Sequence, residues 1–255
     1  MNEDIVAPAD WRAIDFISDL HLSSATPAAF VAWREHLQHT PAQAVFMLGD
    51  LFELWVGDDA AALPFEAGCV ESMAAAARHR WLAFLAGNRD FLVGDALAAA
   101  SGLRRLGEPV VVEAFGTRAL LCHGDALCIE DVAYQRFRAI VRGDDWQRDF
   151  LARPLQERLA LAAAIRRHSE ERRSFDGHAA ADVDASLAQH WLDREHAQVM
   201  VHGHTHRPAS HRLPGGGLRH VLSDWELDTA SPPRAEVLRW TDQGFSRVAP
   251  SRAPS

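Results

Sequence analysis

Cysteine is scarce in this 255-residue chain, with Cys69, Cys122 and Cys128 forming an odd set without paired spacing. That excludes a disulfide-stapled scaffold and fits small core residues in a reducing compartment. Long apolar runs are missing too. The longest candidate, residues 159–165, falls far short of the roughly 18 consecutive apolar residues a spanning helix needs. The first eight residues hold neither a basic n-region nor an apolar h-region, so no secretory leader is expected there. Positive charge is also in deficit. The 26 Lys+Arg against 35 Asp+Glu leave a net −9, which argues against a nucleic-acid partner. The remainder is ordinary for a globular protein, and the length suits one large core, or one core with an insertion. The expected place is the cytoplasm, or a membrane surface reached from that side.

Histidine, by contrast, is clustered. His202, His204 and His206 take alternate positions directly after the apolar run 197–201. Alternate residues of an extended chain point the same way, so the three imidazoles are expected to converge on a metal; a hydrogen-bonded surface cluster is the alternative. Upstream, residues 13–18, 44–48 and 81–86 read as buried strands. Phe30, Trp33 and Leu37, then Val70, Met73 and Ala77, recur at helical spacing between them. A short helix over 95–100 is stopped by Gly102. This alternation implies parallel strands joined by helical crossovers, with ligands bound where the strands end. A hairpin is expected over 110–122, helices from 131 to 196, strands again at 197–201, 218–223 and 235–240, and a frayed tail over 249–255.

Five of these strand ends carry chemistry in order: Asp19-x-His21, Gly49-Asp50, Gly87-Asn88-Arg89, His123-Gly124 and His202-Gly-His204-x-His206. Singly each is weak, since Asp19 or Asp50 alone suits a helix cap and Asn88 alone a turn. Together they form a donor set of carboxylate, carboxamide and imidazole without thiolate, which suits Mn²⁺, Fe²⁺ or Zn²⁺. The donors outnumber what one ion needs. A bridging carboxylate and a second ion would make a two-metal phosphoester site.

The set resembles the calcineurin-like metallophosphoesterases, whose pattern is D-x-H, G-D, G-N-H/R, H and G-H-x-H. That resemblance implies an α/β fold, a β-sandwich flanked by helices. It also implies one ion held by Asp19, His21, Asp50 and His206 and a second by Asp50, Asn88, His123 and His204, with Asp50 shared. Two divalent ions, two carboxylates and a hydroxide leave the site near +1, about right for an anionic substrate. Arg89 stands where many relatives have a histidine. An arginine cannot give up a proton but can clamp phosphate oxygens. A diphosphate, whose phosphate leaving group has a pKa of about 6, therefore suits the site better than a simple ester.

Longer stretches are similar to one narrower family. Residues 16–22, 48–59, 87–92, 123–128, 134–138 and 202–208 resemble the UDP-2,3-diacylglucosamine hydrolases of lipid A biosynthesis. Trp55-Val-Gly-Asp-Asp59 and the segment 125–138 are the distinguishing parts. The resemblance implies a Mn²⁺-dependent enzyme with two Mn²⁺ ions, peripheral on the cytoplasmic face of the bacterial inner membrane. It would hydrolyse a lipid-linked UDP-sugar to UMP and 2,3-diacylglucosamine 1-phosphate by hydroxide attack on the uridine-side phosphorus. No obligate protein partner is implied. Asp50, Asn88, Arg89, His123 and His204 would be catalytic, and Asn88, Arg89, Asp131, Ser169 and His204 would contact substrate. Arg173 and Asp176 replace an asparagine and a lysine common in relatives, and Arg173 is expected to supply the missing cation. A helical cap over about 131–196, inserted in a single domain, would accept the acyl chains. Its segment 146–173 holds seven arginines interleaved with Phe150, Leu151, Leu155, Leu159 and Leu161, which suits an anionic membrane interface or, alternatively, an ordinary solvated helix. A soluble dinucleotide or cyclic nucleotide is the competing substrate class, and a non-catalytic binding module the third reading. His202 is expected to support its neighbours, Trp55 and Trp225 to pack, and Asp58 and Asp59 to shape a turn.

Overall fold

The computed structural model describes residues 4–176 and 181–253, with side chains for 4–167 and 181–253. After a two-residue strand, β1 (Ile5–Val6), the chain enters the expected alternation. It runs β2 (Ala13–Ile17), α1 (Pro27–His39), β3 (Ala44–Leu48), α2 (Pro64–Ala77), β4 (Trp81–Leu85), α3 (Asp95–Ser101) and β5 (Arg104–Leu106). Proline opens both α1 and α2, where its missing N–H costs nothing. Gly102, at φ 71°, closes α3 in the left-handed conformation. β6 (Val110–Ala114) and β7 (Thr117–Leu121) form the expected hairpin. Its turn, Phe115-Gly116, has both φ angles positive, as a two-residue turn between twisted strands requires. Then follow α4 (Val132–Val141), α5 (Asp144–Leu151), α6 (Leu155–Asp176), α7 (Ala185–Arg194), β8 (Val199–His202), β9 (Ala209–Arg212), β10 (Leu218–Val221), β11 (Val237–Thr241) and β12 (Gly244–Val248).

Two six-stranded sheets result, ordered β12-β11-β2-β3-β4-β5 and β1-β6-β7-β8-β10-β9. The pairs β2–β3, β3–β4 and β4–β5 are parallel, as the alternation implied. The second sheet is mixed, with β7, β8 and β10 parallel between antiparallel neighbours. β2 and β3 are buried along their whole length, so each face meets a core. Phe16, Phe46 and Trp240 pack with Val112, Leu121 and Val201 of the second sheet. Ile17, Met47 and Phe84 pack with Trp33, Leu37 and Met73 of the helices. The sandwich and its flanking helices are those of the expected α/β class.

The helical sequence expected as one cap over 131–196 divides. α7 packs Ala188 and Leu192 against Leu120 and Met200 of the second sheet, so it is a layer of the sandwich. α5 and α6 turn Phe150, Trp146, Leu155, Leu159 and Ala162 onto the first core. This narrows the basic, apolar face expected over 146–173. Phe150, Leu155 and Leu159 face inward, and Arg158 is only 3% exposed, bonded to the Val56 carbonyl and the Asp59 carboxylate. Leu151, Leu161 and Ile165 remain exposed. The tail is also less free than expected, because the Ser251 N–H donates to His36 Nδ1 at 3.1 Å.

His36 belongs to a buried polar knot. Asp15 of β2 accepts from Thr40 Oγ1 at 2.5 Å and from Arg239 Nε and Nη2 at 2.7 and 2.8 Å. The other nitrogen of His36 lies 3.4 Å from the same carboxylate. Burial lowers the His36 pKa to about 4, against the pull of Asp15 and helped by Arg239 and Arg80. The unfolded chain therefore binds this proton first. The contribution of His36 to stability is present above its ordinary pKa of 6.5 and lost as pH falls towards 4. In thermal unfolding, His36→Gln is expected to show a shallower fall of Tm between pH 6.5 and 4.5 than the parent. Parallel slopes would rule this out.

Candidate metal centre

The turns after β2, β3, β4, β7 and β8 meet at one edge of the sandwich, and each brings residues singled out in the sequence. Asp19, His21, Asp50, His204 and His206 all sit at φ between 49° and 68°. A non-glycine residue in that region is uncommon, costs about 1–3 kcal/mol, and tends to mark functional sites. This replaces the reason given for the histidine cluster. β8 ends at His202, and His204 and His206 converge through left-handed turns, not through strand alternation.

Backbone and carboxylate bonds hold these turns together. The N–H groups of Asp19 and His21 donate to the carbonyls of Gly49 and Asp50 at 3.1 and 3.0 Å. The fully buried Asp90 accepts from the backbone N–H of Gly87 at 2.8 Å and of Leu51 at 2.7 Å, joining the turns after β3 and β4. Burial and the charge of Asp50 push Asp90 up to about 6. The Asp19 carboxylate accepts from Ser18 Oγ at 2.5 Å and from His204 N–H at 2.9 Å, tying the first turn to the last. Asp50 Oδ1 accepts the Arg89 N–H at 2.9 Å.

The donor atoms fall into two groups. In the first, His21 Nε2 lies 3.3 Å from His206 Nε2, which lies 3.3 Å from Asp19 Oδ1. In the second, Asn88 Oδ1 lies 3.0 Å from His123 Nε2 and 2.9 Å from His204 Nδ1. His123 Nε2 is also 3.7 Å from Asp50 Oδ1. Donors around a divalent ion at 2.0–2.2 Å stand roughly 3 Å apart. Two imidazole nitrogens facing each other need a proton or a cation between them. The residues therefore fit divalent metal ions. Asp19 belongs with His21 and His206 and also with Asp50 and His123, so the two groups adjoin.

Ring orientation and charge agree with that fit. His123 Nδ1 is bonded to the Leu48 carbonyl at 2.9 Å, which commits that nitrogen as donor and leaves Nε2 for the site. His21 Nδ1 lies 3.3 Å from Glu53 Oε2, and His206 Nδ1 lies 3.4 Å from Asp224 Oδ2. Burial opposes protonation of His123, but Asp50, Asp19 and Asp125 raise its pKa to about 9. His206 is raised to about 10 against burial by Asp19 and Asp224. Burial would raise Asp19, yet the bond from His206 and the charges of His123, His206 and His21 hold it well below the usual carboxylate range. His204 falls to about 4 through burial and the His123 charge. Without an ion the carboxylates draw protons onto histidines, and a cation would displace them.

Arg89 is at the site, its Nη1 2.8 Å from Glu53 Oε1 and its Nε 3.6 Å from Asp50 Oδ2; Arg166 of α6 pairs with the same Glu53. Asp131 is the exposed N-cap of α4, accepting from Tyr134 N–H at 2.9 Å. The side chains of Ser169, Arg173 and Asp176 lie outside the described residues. His202 does not join the donors. It is buried against Gly124, where an added Cβ would come within 2.7 Å of its Nδ1, and burial lowers its pKa to about 3. Asp58 accepts from Trp55 Nε1 at 3.1 Å and from the N–H of Gly94 and Leu97 at 2.8 and 2.9 Å, pinning the start of α3.

Several residues of the site were not foreseen. Asp90, Glu53 and Asp125 stand inside the quoted stretches, two or three residues from a ligand, and that proximity was the available signal. Glu108, Arg142, Asp224 and Arg234 had none, because only the folded chain brings them near. An added Cβ at Gly87 would lie 2.2 Å from Asp50 Oδ1 and 2.4 Å from Asp50 N, so the turns after β3 and β4 have no slack. Gly87→Ala is expected to lower the kcat of any hydrolysis here by about 100-fold, while circular dichroism of the sandwich is retained. Unchanged kcat would sink this account.

Residues 13–208 match the calcineurin-like phosphoesterase family. The chain is 44% identical over 228 residues to the UDP-2,3-diacylglucosamine hydrolase of Bordetella pertussis, covering 87% of this chain and 88% of that one. It is 43% identical over 221 residues to the enzyme of that name from Chromobacterium violaceum, with 84% and 90% covered. For the one from Xanthomonas oryzae pv. oryzae the figures are 41% over 248 residues, with 91% and 96% covered. At this identity, and with both chains matched nearly end to end, the protein belongs to the UDP-2,3-diacylglucosamine hydrolase family of calcineurin-like phosphoesterases.

Proposed function

We propose that the protein hydrolyses the diphosphate of UDP-2,3-diacylglucosamine to UMP and 2,3-diacylglucosamine 1-phosphate, a step of lipid A biosynthesis. The observation that carries this is the match to hydrolases of that name at 41–44% identity over most of the chain. Two Mn²⁺ ions are the cofactors in this reading. Asp19, His21, Asp50 and His206 would hold one; Asp50, Asn88, His123 and His204 would hold the other. When bound, such ions lower the pKa of water and supply a nucleophile near neutral pH. The chain's own residues do the rest. Asn88 and His204 orient the phosphate on the uridine side, and His123, fixed by the Leu48 carbonyl, keeps Nε2 available to the ion. Arg89, 19% exposed at its side chain, clamps the diphosphate and offsets charge at transfer. It donates no proton, and a phosphate leaving group needs none.

The chain contains no lysine, so every one of its 26 Lys+Arg residues is an arginine. Each permanently charged basic side chain near the substrate is then a planar fork suited to phosphate oxygens. Arg173 supplies the cation for the sugar phosphate in this reading, with Asp131 and Ser169 as further contacts. The cap consists of α4 to α6, where Val132, Phe137, Ile140, Leu151, Leu161 and Ile165 are 36–60% exposed. An acyl substrate drawn from a bilayer accounts for so much exposed apolar surface on one insert. No helix among the described residues is long and apolar enough to cross a membrane. Peripheral attachment to the cytoplasmic face of the inner membrane is the matching placement.

UMP release from UDP-2,3-diacylglucosamine should require Mn²⁺, vanish with Asp50→Asn, and fall by about 10²–10³ in kcat with Arg89→Ala. Arg173→Ala should raise KM. A soluble dinucleotide is run in parallel, and turnover of the dinucleotide alone would overturn the lipid reading. The protein should also pellet with anionic vesicles at low salt and be released at high salt; no pelleting at low salt would make the exposed arginines an ordinary solvated face.

A further inference from the structure

Around the two groups of ligands lie two separate sets of supporting residues. α4 is bonded to the turns that carry Asn88 and His123 and stacks a ring on His204. Arg138 donates through Nε to Asp125 Oδ2 at 2.8 Å and through Nη2 to Glu108 Oε2 at 3.0 Å. The other oxygen of Glu108 accepts the His123 N–H at 2.8 Å. Asp125 also accepts the Tyr134 hydroxyl at 2.5 Å, and the Tyr134 ring stacks over His204 with centroids 6.1 Å apart. Arg142 donates to the Gly87 carbonyl at 2.8 Å, one residue before Asn88. Among the described residues none of these supporting groups is bonded to Asp19, His21 or His206, although the His204 N–H itself donates to the Asp19 carboxylate.

The other group has its own support. Asp224, 2% exposed, lies beside His206 Nδ1 and receives both Nε and Nη2 of Arg234, the first at 2.8 Å. Arg234 is fixed by a backbone pair with Glu226. A carboxylate behind a metal-ligating histidine fixes its ring and raises its basicity, and Asp224 with Arg234 is built for that at His206. The following residue, Trp225, donates its N–H to the Asp19 carbonyl, so one short segment steadies two of the three donors.

We propose that Arg138 and Asp224 are positioning residues for different metal ions, so that the two positions can be weakened independently. Arg138 sets the position of His123 through Glu108, and that of His204 through Asp125 and the Tyr134 ring. Asp224, with Arg234, sets that of His206, and the adjoining Trp225 N–H steadies Asp19. Because Arg138 lies on the first helix of the insert, whatever shifts α4 also shifts the second position and spares the first. The proposal rests on the two-ion reading above.

The test is Mn²⁺ binding to the metal-stripped full-length protein, by calorimetry and by the spin-resonance signal of free Mn²⁺. His206→Ala and His123→Ala mark which binding event belongs to which position. Arg138→Met is expected to weaken the His123-type event by about 10- to 100-fold and leave the other within twofold. Asp224→Asn should do the reverse, and the double variant should weaken both. Equal weakening of both events by either single variant, or no change, would overturn the proposal while leaving the two-ion reading intact. If the parent binds only one ion, or none, the two-ion reading fails first and this proposal with it. Circular dichroism and Tm of each variant guard against global unfolding, which would weaken both events together and so count as overturning.

Discussion

The structure depends on holding a dense set of electron-rich donors together before any ion arrives. Carboxylates, imidazoles and a carboxamide approach within 2.9–3.7 Å of one another at the strand ends. Five of them stand on residues in left-handed backbone, which an isolated chain would avoid. The surrounding bonds over-determine that arrangement. Asp90 gathers the backbone of two turns, Asp19 captures the His204 N–H, and Gly87 and Gly203 let their neighbours come closer than any side chain would allow. The strain and the crowding are met by the same thing, a rigid two-sheet core whose strand ends have few other places to go.

The insert is joined to that edge by polar contacts as well as apolar ones. α5 and α6 rest on the first core through Phe150, Leu155 and Leu159, and Arg158 pins them to the turn before α2. α4 shares its polar residues with the ligand turns and leaves Val132, Phe137 and Ile140 exposed. A substrate with a charged diphosphate and apolar chains would meet both surfaces at once. Glu53, placed between His21, Arg89 and Arg166, links the ligand edge to the insert from the opposite side.

Buried elements were legible in the sequence and edge elements were not. β2, β3, β4, β7 and β8 read as apolar runs because both of their faces meet a core. The four strands without a usable signal, β1, β5, β9 and β12, are the four edges of the two sheets. An edge strand is short, half-solvated and often polar, and Arg104-Arg105 or Ser210-His211 carries no alternation to detect. The helical run from 131 to 196 was legible as helix. Its division between an insert and a sandwich layer depends on which core each apolar stripe meets, and periodicity does not contain that.

The sequence by itself determined the chemistry: a carboxylate, carboxamide and imidazole set spaced along one chain, with an arginine in place of a proton donor. Local order was enough, because each ligand follows a strand within a few residues. What only the tertiary structure decided is how those residues are aimed and held. His204 and His206 converge through left-handed turns, His202 drops out into the core, and Arg158 leaves the surface to bond the Val56 carbonyl and the exposed Asp59. Asp224, Glu108 and Arg138 arrive from 15 or more residues away to hold ligands they do not adjoin in sequence. Side-chain orientation and partners of this kind follow from how turns from two sheets pack at one edge, and no stretch of the chain encodes that alone.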